Sequence, residues 1–150
     1  MTNIPTITRG RPLFVFDGHC ALCSRGAAFI MRHDRKGAVQ FASAQSEFGA
    51  AIYRKLGMPV DESYLLIDQD GCHTKSEGYF QLARILDGWW RLGLIGALVP
   101  RPFRDWAYDQ IARNRYNWFG RVDECALLGI DERNRLANAD AEVQAQLDCN

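Results

Sequence analysis

The chain has 150 residues, 47% of them apolar and 24% charged, and its formal net charge is zero. That is the size of one compact domain with a core of its own, and the composition argues against wholesale disorder. Zero net charge supplies no global field toward nucleic acid or an anionic membrane, so neither is expected as a partner.

Residues 1–11 read as an extension ahead of the folded domain, without the apolar core of a secretory signal, which places the chain in the cytoplasm. Residues 13–16 (LFVF) form a continuous apolar run ended by Asp17-Gly18, the pattern of a buried strand entering a turn. Residues 20–35 carry Leu22, Gly26, Phe29, Ile30 and His33 at helical spacing, with Gly37 as the stop. Residues 39–44 alternate as a second strand, and Ser46 caps a helix that runs to Leu56 and ends at Gly57. A third strand covers 63–68, Asp70-Gly71 makes a hairpin turn, and 72–75 return as a short strand. Ser76 then caps a helix closed by Gly88. Two more helical segments follow, at roughly 91–99 and 102–115, and residues 131–150 read as a polar helix or tail.

The order strand, helix, strand, helix, hairpin, helix predicts an α/β fold with a mixed sheet, in which strands alternating with helices pair in parallel and the hairpin adds an antiparallel edge. It resembles the βαβαββα core of thioredoxin-like proteins, with an appended C-terminal helical cap from about residue 89. The whole reads as a single domain over 12–130.

Five cysteines in a reducing compartment are poor candidates for structural staples. Cys20 and Cys23 are three positions apart at the start of a helix that follows a strand, so one helical turn brings their Cβ atoms toward disulfide distance. The free N–H groups and positive dipole end of the first turn favour a thiolate at Cys20. On that placement Cys20 is the exposed attacking sulfur and Cys23 the buried resolving one. Two other readings stand beside this redox pair. The two cysteines can be small buried hydrophobes, or half of a metal site that borrows Cys72-His73, although no second C-x-x-C is present. Asp17 can cap the turn or the helix start, or it can take and return a thiol proton. Its charge would raise the pKa of a nearby thiol, so it does not act by simple activation. His19 reads as a solvent-facing turn residue.

The run from Asp17 through Cys20 to Cys23, with Arg32-His33-Asp34-Arg35 after it, resembles the DCC family of thiol–disulfide oxidoreductases, named for an Asp-Cys-Cys signature. The likeness continues in Phe41-Ala42-Ser43 and Thr74-Lys75-Ser76, and through residues 99–105 and 111–120 to Cys125. The resemblance implies a thioredoxin-like fold, catalytic residues Cys20, Cys23 and Asp17, a protein or small-molecule disulfide or thiol as substrate, and no organic cofactor or metal. Where thioredoxins place a proline facing the cysteines, this chain has Glu62-Ser63, so their mode of docking substrate does not carry over.

Arginines interleave with aromatic residues over 101–121, and Trp89-Trp90 precede them. Such a mixture can bind single-stranded nucleic acid or a membrane surface, or it can be a packed amphipathic helix with Trp106, Tyr108 and Ile111 facing the core; the packed helix is the expectation. It also motivates the alternative function, a non-catalytic binding module whose aromatic-basic cap meets a protein or membrane partner, with vestigial or metal-holding cysteines. Cys125 reads as a buried thiol, Cys72 and Cys149 as incidental.

Overall fold

The computed structural model describes residues 11–59, 63–86 and 88–122. The readings made for residues 1–10, Glu62, Cys125, Cys149 and the polar tail over 131–150 lie outside the described residues.

Among the described residues four strands form one mixed sheet in the order β2-β1-β3-β4. β1 (Leu13–Phe16) pairs in parallel with β2 (Gln40–Ser43), Leu13 opposite Gln40 and Phe16 opposite Ser43. On the other side of β1 lies β3 (Leu65–Asp68), antiparallel to it, and β4 (Gly71–His73) follows β3 through a tight hairpin. Parallel pairing through a helical crossover therefore holds for β1–α1–β2 alone; the chain re-enters the sheet beyond β1 in the opposite direction, which is how the thioredoxin-like core is wound.

β1 is buried on both faces, which is why its sequence is apolar without alternation. Leu13 and Val15 point into one core with Ala42, Ile52, Tyr53, Leu65 and Ile67. Phe14 and Phe16 point into the other, with Ala27, Ile30, Met31, Phe41, Tyr64 and Leu66. Helix α2 (Glu47–Leu56) covers the first face. Helices α1 (Ala21–His33) and α3 (Lys75–Leu86) cover the second. Each fully buried Leu or Phe of this kind contributes about 1.5–3 kcal/mol relative to exposure.

Local chemistry sets the ends of the helices. Ser46 caps α2 as expected, accepting the Gly49 N–H at 3.0 Å, and the helix stops at Gly57. Gly49 is required by proximity: a Cβ there would lie 2.1 Å from the Ser43 carbonyl oxygen at the end of β2. Ser76 does not cap α3. That helix starts one residue earlier, and the Ser76 hydroxyl donates to Asp105 instead.

After α3 the chain makes an eleven-residue run of 3₁₀ turns, Gly88–Leu98, in place of the expected α-helix. Glycines at 93 and 96 weaken an α-helix over this stretch. Trp89 and Trp90 stack on each other and pack edge-on against His33, with Trp90 also meeting Phe29, so this pair fastens the run to α1. Helix α4 (Arg101–Phe119) then crosses back over α3 and α1. It is held to α3 by Ser76–Asp105 and by Lys75 to Asp109 at 3.0 Å, and Arg104 lies over the Phe80 ring.

The packed-helix expectation holds for Tyr108, which is half-buried against the core, but not for Trp106 and Ile111, which are 64% and 45% exposed. Trp106 is two residues from Tyr108 and so about 200° around the helix from it. Leu92, Ile95, Leu98 and Phe103 are likewise exposed. Among the described residues no helix is long and apolar enough to cross a membrane.

Candidate active site

The turn from β1 into α1 places Asp17, Cys20 and Cys23 together. Cys20 occupies the N-cap of α1, with extended backbone, and its sulfur accepts the Cys23 N–H at 3.3 Å. A sulfur thus fills the position that Ser, Thr or Asp holds in most helices. The first turn carries no acidic side chain, so the positive end of the helix faces that sulfur alone. Ser24, one turn in, ties the helix back to the turn by donating to the Gly18 carbonyl at 3.0 Å.

Asp17 is buried and surrounded by donors. Its Oδ1 accepts the His19 N–H at 3.0 Å and Gln45 Nε2 at 2.7 Å. Its Oδ2 accepts Arg115 Nη2 at 3.2 Å and the Tyr116 hydroxyl. Asp17 therefore caps the turn, as one of its two readings required, and it is also half of a buried ion pair in which both side chains are only 4% exposed. Gln45 completes the frame by accepting from the Gly18 N–H at 2.7 Å and the Ser43 hydroxyl at 3.0 Å, which locks the turn to the end of β2.

Arg115 links this frame to the cysteines. Its Nη1 stands 3.5 Å from Cys23 Sγ, and the guanidinium lies over the Tyr116 ring, 4.8 Å from the centroid. The two thiols are driven apart in acidity. The Cys20 thiol is held down to about 6, first because the Cys23 thiol donates to it, then by the Cys23 N–H and Arg115, against burial and the Asp17 charge. Cys23 is pushed far up, first by sharing its hydrogen with Cys20, then by burial and by the Cys20 charge. Tyr116 is raised to about 12, by burial and by donating to Asp17. A thiolate beside a retained thiol is the protonation state that dithiol exchange requires.

The match that decides the family covers residues 14–121, which fit the description DCC1-like thiol-disulfide oxidoreductase. The chain belongs to this family. It is 41% identical over 117 residues to "Uncharacterized protein YuxK" of Bacillus subtilis (strain 168), spanning 77% of this chain and 85% of that one. It is 35% identical over 120 residues to "DCC family protein At1g52590, chloroplastic" of Arabidopsis thaliana, spanning 78% of this chain and 70% of that one. No solved structure matches the chain.

The structure brings Asp17, Cys20 and Cys23 together and reverses the exposure of the two sulfurs expected from their placement on the helix. Cys20 is fully buried and Cys23 is half-buried. The cover over Cys20 is the chain just after α4. Gly120, at φ +80°, turns the backbone so that its carbonyl accepts the Ala21 N–H at 3.3 Å. Arg121 pairs with Cys20 as an isolated antiparallel bridge, and the Val122 N–H donates to the His19 carbonyl at 2.9 Å. A thiol one turn from the helix start is no longer the deeper one when residues 120–122 lie across the first turn.

His19 is exposed, as expected. Cys72 lies on β4 against the α2-side core, so the sheet separates it from the cysteine pair, and burial raises its thiol pKa. His73 is turned to Asp68 at 3.0 Å, and among the described residues no cluster of three or more His, Cys, Asp or Glu is placed to hold a metal. Sequence reasoning missed Arg115, Tyr116 and Gln45 as parts of the site. Arg115 carried a readable signal: it falls on the same helical face as Tyr108 and Ala112, where a charge needs a buried partner. Gln45 carried none.

Proposed function

We propose that the chain is a thiol–disulfide oxidoreductase that cycles Cys20 and Cys23 between dithiol and disulfide, with Asp17 fixing the charge frame around them. The reading is carried by one observation, the buried Cys20 sulfur at the start of α1 that accepts from the Cys23 N–H while Arg115 faces the Cys23 sulfur. In the reduced protein one sulfur is a thiolate at neutral pH and its neighbour holds a proton; two electrons pass to a substrate disulfide as the pair closes. Asp17 serves by holding Arg115 in place, since a cation left without it would have to be buried alone. The substrate is a thiol or disulfide, and a reducing compartment such as the cytoplasm suits a pair that must be returned to the dithiol.

The test is a redox titration of the isolated chain, with mass-spectrometric mapping of the pairs formed. The first disulfide is expected between Cys20 and Cys23; a first disulfide through Cys72 or Cys125 would reject the assignment. A second reading, a non-catalytic binding module, draws on the exposed Leu98, Phe103 and Trp106 of the helical cap. It requires a protein whose thiol count is the same before and after mild oxidant, and the same titration separates the two.

A further inference from the structure

The acidic sulfur of this site is the covered one, and what covers it is backbone. Cys20 has no exposed surface, and Gly120, Arg121 and Val122 run antiparallel to His19, Cys20 and Ala21. The Ala21 N–H donates to the Gly120 carbonyl at 3.3 Å and the Val122 N–H to the His19 carbonyl at 2.9 Å, one bond on each side of the Cys20–Arg121 pair. Bonds so placed make Cys20 and Arg121 a non-hydrogen-bonded antiparallel pair, in which opposed Cα atoms are about 4.5 Å apart and the side chains leave on one face. A disulfide needs Cα atoms about 4.4–6.8 Å apart. The place held by Arg121 is thus one from which a cysteine reaches Cys20. The cover is lightly held. Arg121 is exposed and its two neighbours are half-buried; Arg121 lies over the Tyr116 ring, 4.2 Å from the centroid, and the Val122 carbonyl is 3.4 Å from His19 Nδ1. Gly120, at φ +80°, is the bend from which it departs.

We propose, on the oxidoreductase reading above, that residues 120–122 occupy the place of the substrate, an extended polypeptide segment that displaces them, adds as a short antiparallel strand to His19–Ala21 and carries its half-cystine where Arg121 stands. Displacement bares the His19 carbonyl and the Ala21 N–H, the latter one of the first-turn donors that a helix cannot pair internally. A polypeptide with a carbonyl before its half-cystine and an N–H after it restores both bonds; a disulfide without a peptide backbone restores neither, and polar groups stripped of partners are costly. Strand addition of this kind reads backbone, so it fixes the register of one residue and tolerates many sequences around it. In the paired complex the Cys20 thiolate attacks the half-cystine sulfur. The Cys20–S–S–peptide bond forms, the substrate S–S bond breaks, and the other half leaves as a thiolate with the electron pair and takes a proton from water. Cys23 then attacks Cys20 Sγ. The Cys20–Cys23 bond forms, the bond to the peptide breaks, and the departing peptide thiolate takes the proton that Cys23 gives up. The substrate disulfide is reduced to two thiols and the dithiol is oxidised.

Register is tested on the full chain with Cys23→Ser in place. Arg121→Cys is expected to let diamide link Cys20 to the new thiol, and Val122→Cys, whose side chain leaves on the opposite face, to do so at least about tenfold more slowly. Substrate pairing is tested on the reduced wild-type chain with the pentapeptide Val-Thr-Cys-Thr-Val as its mixed disulfide with thionitrobenzoate. One form is unmodified, one is N-methylated on the residue after the cysteine, and one on the residue after that. Each rate is divided by the rate with N-acetylcysteine to remove intrinsic reactivity. The first methyl deletes the N–H that replaces that of Val122 and is expected to slow closure of Cys20–Cys23 about tenfold; the second, on an N–H turned away, is expected to change it by less than about twofold. Val122→Pro removes one of the two bonds holding the cover and is expected to speed iodoacetamide alkylation of Cys20 about fivefold at about pH 8, where that sulfur is ionised. Equal linking from positions 121 and 122 overturns the register, equal rates with the three peptides overturn the backbone pairing, and unchanged alkylation in Val122→Pro overturns the displacement. Each of these results leaves the oxidoreductase reading standing if wild type still closes Cys20–Cys23 with bis(hydroxyethyl) disulfide. That reading fails, and this proposal with it, if neither that reagent nor any of the peptides yields the Cys20–Cys23 disulfide.

Discussion

Replacing Arg115 by methionine removes the cation that joins Asp17 to Cys23 while keeping much of the side-chain volume. Breaking a buried ion pair by deleting one partner costs about 3–5 kcal/mol, because the other charge stays in the interior. Asp17 keeps Gln45 Nε2 at 2.7 Å, the His19 N–H at 3.0 Å and the Tyr116 hydroxyl, so the lower end applies, about 3 kcal/mol. For a chain of this length that corresponds to a fall in Tm of roughly 6–12 °C. Urea unfolding followed by tryptophan fluorescence measures the loss, and a double-mutant cycle with Asp17→Asn isolates the pair. The double variant no longer buries a lone charge, so its loss is expected to be about 2 kcal/mol smaller than the sum of the single losses. A loss below about 1 kcal/mol for Arg115→Met, or strict additivity in the cycle, would refute the claim that this pair organises the turn.

The Cys20 thiolate gives a second measurement. Its ultraviolet absorbance in the reduced protein is expected to rise through a midpoint near pH 6 and to disappear below it, and Arg115→Met is expected to shift that midpoint upward, because Arg115 favours the ionised sulfur. A midpoint at the value of a free thiol would reject the N-cap sulfur as the acidic group. Gly49→Ala puts a methyl group 2.1 Å from a backbone oxygen and is expected to cost about 3 kcal/mol or more in urea unfolding, since neither α2 nor β2 can shift freely. A near-neutral effect would mean that the two elements pack less tightly than described.

What the sequence made legible is local. The continuous apolar run of β1, the Ser46 cap and the Gly57 stop each follow from residues adjacent in the chain and stand where the pattern put them, while the hairpin turns one residue earlier than expected, through Gln69-Asp70, with Gly71 already paired to Asp68. The C-x-x-C pair at the start of α1 was legible for the same reason. What depends on contacts distant in sequence was not. Asp17 meets Arg115 across 98 positions, and the backbone that covers Cys20 arrives from Arg121. No spacing rule announces either. On α4 the face shared by Tyr108, Ala112 and Arg115 can be read from spacing, but the apolar residues are spread around the helix, so periodicity could not tell that Trp106 and Ile111 face out.

The sulfur cap of α1 has an electrochemical consequence. Its negative charge exists only in the reduced protein, so the interactions that lower its pKa stabilise the dithiol form and leave the disulfide untouched. An acidity near 6, against about 8.5 for an ordinary thiol, favours the reduced form at pH 7 by roughly 1.4 kcal/mol, which raises the reduction potential of a two-electron couple by about 30 mV. For a depressed acid this contribution grows as pH rises toward the ordinary thiol value and is lost as pH falls through 6. On the proposed dithiol–disulfide cycle, the hydrogen bonds that Cys23 gives this sulfur, with Arg115, thus make the pair a stronger oxidant than an unperturbed dithiol in mildly alkaline surroundings, and an ordinary one in acid.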